Sequence, residues 1–214
     1  MNTRPLVIAV LLLAACAGNP PADWQINAKD SLDGAVEAYL GGNNRLEARQ
    51  FARGQAEVAR TGQVPLAARV ELLRCATRVA GLDFDQCPKY QALDQDATPA
   101  EQAYARYLTG RAGSDDLARL PPAAREIMLS PTPATLASIA DPFARLVAAG
   151  TLLRRGLAND NIIAIAVDSA SAQGWRRPLL AWLTVQQKQA AARGASEEVA
   201  RLQRRIDLVN GRIP

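Results

Sequence analysis

Apolar residues recur at three- and four-residue intervals along most of the 214-residue chain, and this spacing limits the possible folds more than any other feature. An α-helix completes one turn in about 3.6 residues, so the spacing places an apolar stripe along one side of each helix. No segment alternates between apolar and polar residues for long enough to predict a strand. The strongest strand candidate, 162–167, follows an Asn-rich helix start and precedes an Ala-Ser run, which favours a helix. The sequence therefore predicts an all-α fold.

Capping residues, prolines and glycines indicate where the helices begin and end. Thr98, Pro99 and Glu101 combine an N-cap, a first-turn proline and a capping box, which together predict a helix start. Asp23 and Ser196 are the predicted caps of the first and last helices. We expect about eight to ten helices, arranged as hairpins with turns of about two to five residues.

Some segments carry more specific expectations. Prolines interrupt the middle of the chain, where short helices are expected at 115–119, 122–129 and 133–139. Residues 83–97, which are rich in Asp and Gln, are predicted to form a loop. The helix predicted at about 44–60 has an apolar face made of Ala48, Phe51, Ala52, Ala56 and Ala59. The helix that starts at Thr98 has Tyr104, Tyr107 and Leu108 on its apolar face.

The first sixteen residues have the pattern of a secretory signal peptide. Arg4 supplies a positive charge, residues 6–13 are apolar, and Ala14 and Ala15 are small. A buried helix or a membrane span would be the alternative, but the apolar run has no amphipathic pattern and a span needs about 20 residues. The sequence therefore predicts a signal peptide at residues 1–15.

The segment Leu13-Ala14-Ala15-Cys16 resembles a bacterial lipobox, the motif that is cut before a cysteine that carries lipid. The resemblance implies a diacylglyceryl thioether and an acylated amine on Cys16, which anchor the chain to a membrane. Ala17 stands where Asp signals inner-membrane retention in lipoproteins of enterobacterial type. The resemblance therefore implies an outer-membrane lipoprotein that faces the periplasm. Residues 16–22 then form a short tether, and residues 23–214 form one helical domain.

Cys75 and Cys87 are the cysteine pair that remains if Cys16 carries lipid. An oxidising compartment favours a disulfide between them. The alternative is two free cysteines, with Cys75 packed as a small apolar residue and Cys87 in a loop. A disulfide across a loop of about twelve residues contributes somewhat less than ~3 kcal/mol in the chain-entropy model.

Two regions, 45–82 and 141–209, predict short helix pairs with alanine at the contact points, and these resemble tetratricopeptide-like repeats. The Trp-Leu-Gly-Tyr signature of that repeat is absent, and the middle third of the chain breaks any fixed period. The resemblance implies stacked antiparallel hairpins, either as an open solenoid or as a compact helical bundle. The chain as a whole also resembles proteobacterial lipoproteins that have no assigned activity.

The composition excludes several kinds of chemistry. The chain contains no histidine, which rules out Ser-His-Asp and Cys-His sites and removes the commonest metal ligand. No phosphate-binding loop or Gly-x-Ser-x-Gly motif occurs, and Asp94-x-Asp96 does not continue as a calcium loop. Basic residues alternate with acidic ones and aromatic residues make up only 5% of the chain, which argues against nucleic-acid binding. We therefore expect no catalytic residue, no cofactor and no metal.

Four neighbouring residues form the candidate site for partner binding: Trp175, Arg176, Arg177 and Trp182. Trp and Arg dominate the residues that contribute most to protein interfaces. In the alternative, both indoles seal a helix hairpin and the arginines face water. A second set, Arg45, Arg49 and Arg53, is either a contact for lipid phosphates or a solvated helix face.

These observations predict a non-enzymatic, lipid-anchored helical protein that docks envelope proteins or peptides. Tetratricopeptide-like lipoproteins resemble accessory parts of outer-membrane assembly or peptidoglycan-synthesis machines. One alternative is an enzyme that acts on peptidoglycan through two carboxylates about 5 to 10 Å apart, one with a raised pKa. Another is a carrier of an apolar ligand, which requires a large apolar pocket between the helices.

Overall fold

Residues 20–212, which the computed structural model describes, contain eleven α-helices, two short 3-10 helices and no β-strand. This confirms the predicted all-α fold. The α-helices are α1 (Asp23–Gly41), α2 (Asn44–Ala59), α3 (Val64–Ala80), α4 (Pro88–Gln91), α5 (Pro99–Leu108), α6 (Pro122–Leu129), α7 (Pro133–Ser138), α8 (Pro142–Arg154), α9 (Asp160–Ala172), α10 (Arg176–Ala192) and α11 (Ser196–Val209). The 3-10 helices are Asp94–Asp96 and Ser114–Arg119.

Three predicted helix caps have different outcomes. The capping box of α5 is present, because Thr98 Oγ1 accepts from the Glu101 N–H and Glu101 Oε2 accepts from the Thr98 N–H. The predictions for the first and last helices are wrong by one residue. Asp23 is the first residue of α1 and Ala22 is its N-cap, while Ser196 is the first residue of α11. Acidic side chains in both first turns stabilise these helix starts through the helix dipole, so no side-chain cap is needed.

The segment 83–97 is not a plain loop as predicted, because it contains α4 and the first 3-10 helix. Pro88 occupies the first turn of α4, and Cys87 before it has a left-handed φ of 52°. The Tyr90 hydroxyl donates to Asp94 Oδ1 at 2.6 Å and links α4 to the 3-10 helix. Helices this short contain too few residues for an apolar period, so the residue spacing does not reveal them.

The packed face of α2 differs from the predicted one. The buried residues of α2 are Glu47, Phe51, Gly54 and Val58. Of the predicted face, Phe51 alone is buried, and Ala48, Ala52, Ala56 and Ala59 are exposed. Gly54 explains the difference, because a Cβ atom there would lie 2.6 Å from Leu32 Cγ of α1. Leu32 therefore packs directly against the backbone of α2 at Gly54, and the alanines lie on the solvent side.

Helices α3 and α8 form the centre of the molecule. Helix α3 packs against α1, α2, α5 and α8, and α8 packs against α3, α5, α6, α7 and α9. All residues from Leu146 to Leu152 are buried, so the middle of α8 has no solvated side. The two helices meet at Gly150, where a Cβ atom would lie 2.4 Å from the Val79 carbonyl oxygen.

The two ends of the described chain meet, which closes the bundle. Helix α10 packs against α9 and α11, and it also packs against α1. Trp175 Nε1 donates to Glu37 Oε2 at 2.9 Å, and Arg177 Nε donates to the Tyr39 carbonyl at 2.7 Å. The units of a solenoid contact only their sequence neighbours. Contacts between residues 138 positions apart therefore favour the compact bundle over the open solenoid.

Among the helices of residues 20–212, none combines the length and the apolar character that crossing a membrane requires.

We expect Gly150→Ala to lower the free energy of unfolding by about 1–3 kcal/mol, because the new methyl group must displace the Val79 carbonyl. Urea denaturation followed by circular dichroism measures this change. Gly41→Ala is the matched control, since nothing lies within 4 Å of a Cβ atom at this position near the end of α1. We expect the control to be neutral or slightly stabilising. Equal stabilities for the two variants would contradict the close contact of α3 with α8.

Candidate functional site

The two tryptophans predicted to bind a partner are buried inside the bundle. Trp175 is 7% exposed and donates its indole N–H to Glu37 of α1. Trp182 is 0% exposed, and its indole Nε1 has no hydrogen-bond partner among residues 20–212. This placement matches the alternative in which the indoles seal the packing between helices.

The two neighbouring arginines are also used within the chain. The Arg177 guanidinium lies 4.2 Å from the centre of the Tyr39 ring and donates to Asn44 Oδ1. Arg176 donates from Nε to the Val209 carbonyl at 3.1 Å. These contacts fasten α10 to α1 and α11, so both arginines contribute to the closure of the bundle.

The arginine row on α2 is exposed, which agrees with both interpretations, a contact for lipid phosphates and a solvated helix face. Arg45, Arg49 and Arg53 each lie at the surface, and none of them forms an ion pair with an acid of residues 20–212. Glu57 pairs instead with Arg60, at 3.0 Å. The predicted lipid-attachment residue Cys16 and the cleavage residue Ala15 lie outside the described residues.

Cys75 and Cys87 lie at disulfide distance, as predicted, with their Cα atoms 5.6 Å apart. Both are buried, and their link ties α3 to the residue before α4. Two arginines hold the same segment. Arg78 of α3 donates to Asp85 Oδ2 at 2.9 Å, and Arg154 of α8 donates to the Asp85 carbonyl at 3.0 Å.

A small cavity beside this disulfide contains two carboxylates. It has a volume of about 90 Å³ and is lined in part by Glu71 and Asp85. Burial raises the pKa of the Glu71 carboxyl, although Lys89 and Arg74 oppose the shift. A raised carboxyl pKa next to a second acid is the arrangement that the peptidoglycan-enzyme alternative requires. The cavity is much smaller than the about 300–1,000 Å³ of ligand pockets, so it does not enclose a sugar ring.

One group of possible metal ligands occurs within residues 20–212. Ligand atoms of Cys75, Asp85 and Cys87 lie within 4.8 Å of one another. The two sulfur atoms lie at disulfide distance from each other, and the Asp85 carboxylate accepts hydrogen bonds from Arg78 and from the Cys87 N–H. A zinc site needs four ligands or three with an open position, so the oxidised pair does not provide one.

An apolar groove lies between α3, α5 and the start of α8, with a volume of about 360 Å³. Its apolar lining consists of Leu72, Leu73, Ala76, Ala100, Tyr104, Pro121 and Phe143. Leu72 and Ala76 are buried and form the floor, whereas Leu73, Tyr104 and Phe143 are half-buried. The groove therefore presents apolar side chains that the bundle itself only partly covers.

Helix geometry explains the shape of the groove. The lining residues of α3 are Arg69, Leu72, Leu73 and Ala76, whose spacing places them on one side of the helix. This stripe covers two turns, a length of about 10 Å. On α5, Ala100 is exposed and lines the groove one turn before Tyr104. The small side chains of Ala76 and Ala100 keep the groove open.

The rim of the groove carries two arginines and one acid. Arg69, whose side chain is 63% exposed, pairs with the buried Glu101. Burial opposes ionisation of Glu101, but hydrogen bonds from Thr98 and Arg69 lower its pKa. Arg119 is exposed and donates from Nη1 to the Asp115 carbonyl at 2.9 Å.

The groove is not predicted by the sequence analysis. Its lining comes from four separate segments, at 69–76, 100–104, 119–121 and 143, which only the tertiary packing brings together. The apolar face of α5 gives one local signal, because it includes both Tyr104 and Tyr107. Tyr107 is 1% exposed, whereas Tyr104 remains half-buried in the groove.

Comparison of the chain with protein-family models, with curated proteins and with solved structures finds no match. The function of the chain is therefore inferred from the geometry of its own residues.

We expect Glu71→Gln to raise stability at about pH 8 and to leave it nearly unchanged at about pH 4. The folded-state pKa of Glu71 lies above its unfolded value, because burial disfavours the charged carboxylate. The stability that this shift provides is present below the unfolded pKa and is lost as pH rises through the folded pKa. A glutamine avoids this loss and still offers an acceptor to Gln55 Nε2.

Urea denaturation at a series of pH values tests this expectation. Glu126→Gln is the control, because Glu126 is exposed on α6. A Glu71→Gln variant that is less stable than the parent at high pH would contradict the burial argument.

Proposed function

We propose that this protein is a lipid-anchored, periplasm-facing helical module that binds an apolar segment of an envelope protein or peptide. The binding site in this proposal is the groove between α3, α5 and α8. The protein then acts by docking, as an accessory part of an envelope machine, rather than by catalysis.

The observation that carries the proposal is the apolar groove of about 360 Å³. Its volume falls within the range of about 300–1,000 Å³ that is usual for ligand sites. Leu73, Tyr104 and Phe143 remain partly exposed there, and a bound apolar segment removes that surface from water. Each Å² of apolar surface buried contributes about 25 cal/mol, which provides the driving force for binding.

The position of the anchor supports a site close to a membrane. Cys16 precedes the first residue of α1, Asp23, by a short tether. Seven residues span at most about 25 Å when fully extended. A lipid on Cys16 therefore holds the bundle beside the bilayer, where membrane-associated partners are concentrated.

A peptidoglycan-acting enzyme is the second candidate function, because Glu71 and Asp85 line the same cavity and the pKa of Glu71 is raised. The volume of about 90 Å³ gives room for a few water molecules, each of which needs about 30 Å³. Incubation of the purified protein with sacculi tests this candidate. Release of soluble fragments that Glu71→Gln abolishes would support the enzyme and oppose the docking proposal.

We expect Ala100→Trp to weaken binding of the neutral apolar probe N-phenyl-1-naphthylamine by about tenfold or more, because the indole fills the groove. Ala100 is exposed near the start of α5, so the larger side chain leaves the core unchanged. Fluorescence titration measures binding, and circular dichroism checks the fold.

The matched control is Ala52→Trp, which changes an exposed alanine on α2 away from the groove. We expect the control to bind the probe like the parent protein. The same titration with a labelled apolar hexapeptide separates docking from carriage of small apolar ligands. Binding of dodecanol without binding of any peptide would favour the carrier, and equal binding by both tryptophan variants would exclude the groove.

The lipid anchor is tested by mass spectrometry of the protein purified from membranes of the cells that produce it. We expect a chain that begins at Cys16 and carries the mass of a diacylglyceryl group and an acyl chain. Cys16→Ser should release the protein from the membrane fraction. An unmodified thiol at Cys16 with residues 1–15 still attached would contradict the anchor.

A further inference from the structure

We infer that the α3–α5–α8 groove selects an apolar peptide segment that carries a carboxylate. This inference rests on the proposed function, since it names the chemistry of the segment that the groove binds. The carboxylate is either the C-terminus of the peptide or an acidic side chain beside its apolar residues. Two groups at the groove favour it: Arg119 and the hydroxyl of Tyr104.

Arg119 supplies an exposed positive charge at the rim of the groove. Its guanidinium donates to a backbone carbonyl, that of Asp115, and forms no ion pair within residues 20–212. Asp116, the nearest buried acid along the chain, is held by Arg106 through Nε and Nη2. The guanidinium of Arg119 therefore keeps donors free at the edge of an apolar site, where a carboxylate forms charge-assisted hydrogen bonds.

The acids near the groove are already committed to other groups. Glu101 accepts from Arg69 and from the Thr98 N–H, and its side chain is only 4% exposed. Asp141 caps α8, with its two oxygens accepting from the Phe143 and Ala144 N–H groups at 3.1 and 3.2 Å. Glu101 therefore balances the charge of Arg69, whereas Arg119 has no ion-pair partner among residues 20–212.

Tyr104 adds a neutral donor inside the groove. Its hydroxyl forms no hydrogen bond with any group of residues 20–212, and its ring is half-buried. Burial raises the pKa of this hydroxyl, with a further contribution from Asp141, so the proton stays on the oxygen. A carboxylate placed between Tyr104 and Arg119 receives donors from both.

The dimensions of the groove favour a peptide over a fatty chain. The α3 stripe is about 10 Å long, which matches about three residues of extended peptide. Ala100 and Pro121 are exposed along the open side of the groove, so one side of a bound ligand stays in contact with water. An extended peptide tolerates this, because its side chains alternate between the two sides and its backbone is polar. An alkyl chain would leave apolar surface in water.

The test compares two labelled hexapeptides with the same four apolar C-terminal residues, one with a free C-terminal carboxylate and one with a carboxamide. We expect the free acid to bind the purified, folded protein about fivefold more tightly, with a preference that declines as salt screens the rim charge. In Arg119→Gln, the preference should fall below about twofold while the carboxamide peptide binds as before. Arg49→Gln is the matched control, because Arg49 is an exposed arginine on α2.

A third peptide, a carboxamide with one glutamate beside the apolar residues, distinguishes a side-chain carboxylate from a C-terminal one. Tighter binding of either acidic peptide supports the inference. Equal binding of acid and amide peptides would overturn it and leave the docking proposal intact. Binding of no peptide would overturn both the inference and the docking proposal. Binding of dodecanoate without any peptide would also overturn them and would indicate that the ligand is a fatty acid. A preference that survives in Arg119→Gln would also overturn the assigned role of Arg119.

Discussion

The contact between α3 and α8 at Gly150 determines most of the arrangement around it. Only a residue without a side chain allows the Val79 carbonyl to lie so close to α8. The groove is bordered by the same two helices, since Leu72 and Phe143 each precede this contact by two helical turns. Helices that touch at one point and cross at an angle separate away from it. The glycine contact and the apolar groove therefore involve the same pair of helices and lie two turns apart.

The arginines of this chain have two different roles. Some of them hold helices together, and Arg119 is available to bind a ligand. Arg154 and Arg177 reach from one helix to a backbone carbonyl of another, that of Leu108 and that of Tyr39, which suits a guanidinium with several fixed donors. Arg106 is committed to the buried Asp116. Arg119 differs, because its charge lies at the rim of an apolar site without an acid partner among the described residues. The arginines predicted to bind a partner belong to the first kind, so sequence composition alone does not distinguish them.

Local signals account for what the sequence predicts well. The Thr98 capping box marks the start of α5, and first-turn prolines mark the starts of α6 and α7, so the sequence predicts these three helices. Such local signals do not predict which face of α2 is packed, because alanine is compatible with either side of a helix and the decisive residue is Gly54. The groove depends on packing between distant segments, and periodicity within one helix carries no information about that packing.

The closure of the bundle affects the order in which the chain acquires its structure during synthesis. A small cluster between α1, α2 and α3 assembles from neighbouring segments and consists of Ala28, Ala35, Phe51, Val58 and Val70. The other end of α1 packs against α10, because Glu37 and Tyr39 bind partners that lie 138 residues later in the chain. A chain that is synthesised from its N-terminus can therefore pair α1 with α2 early, but it completes the packing of α1 only after α10 is made.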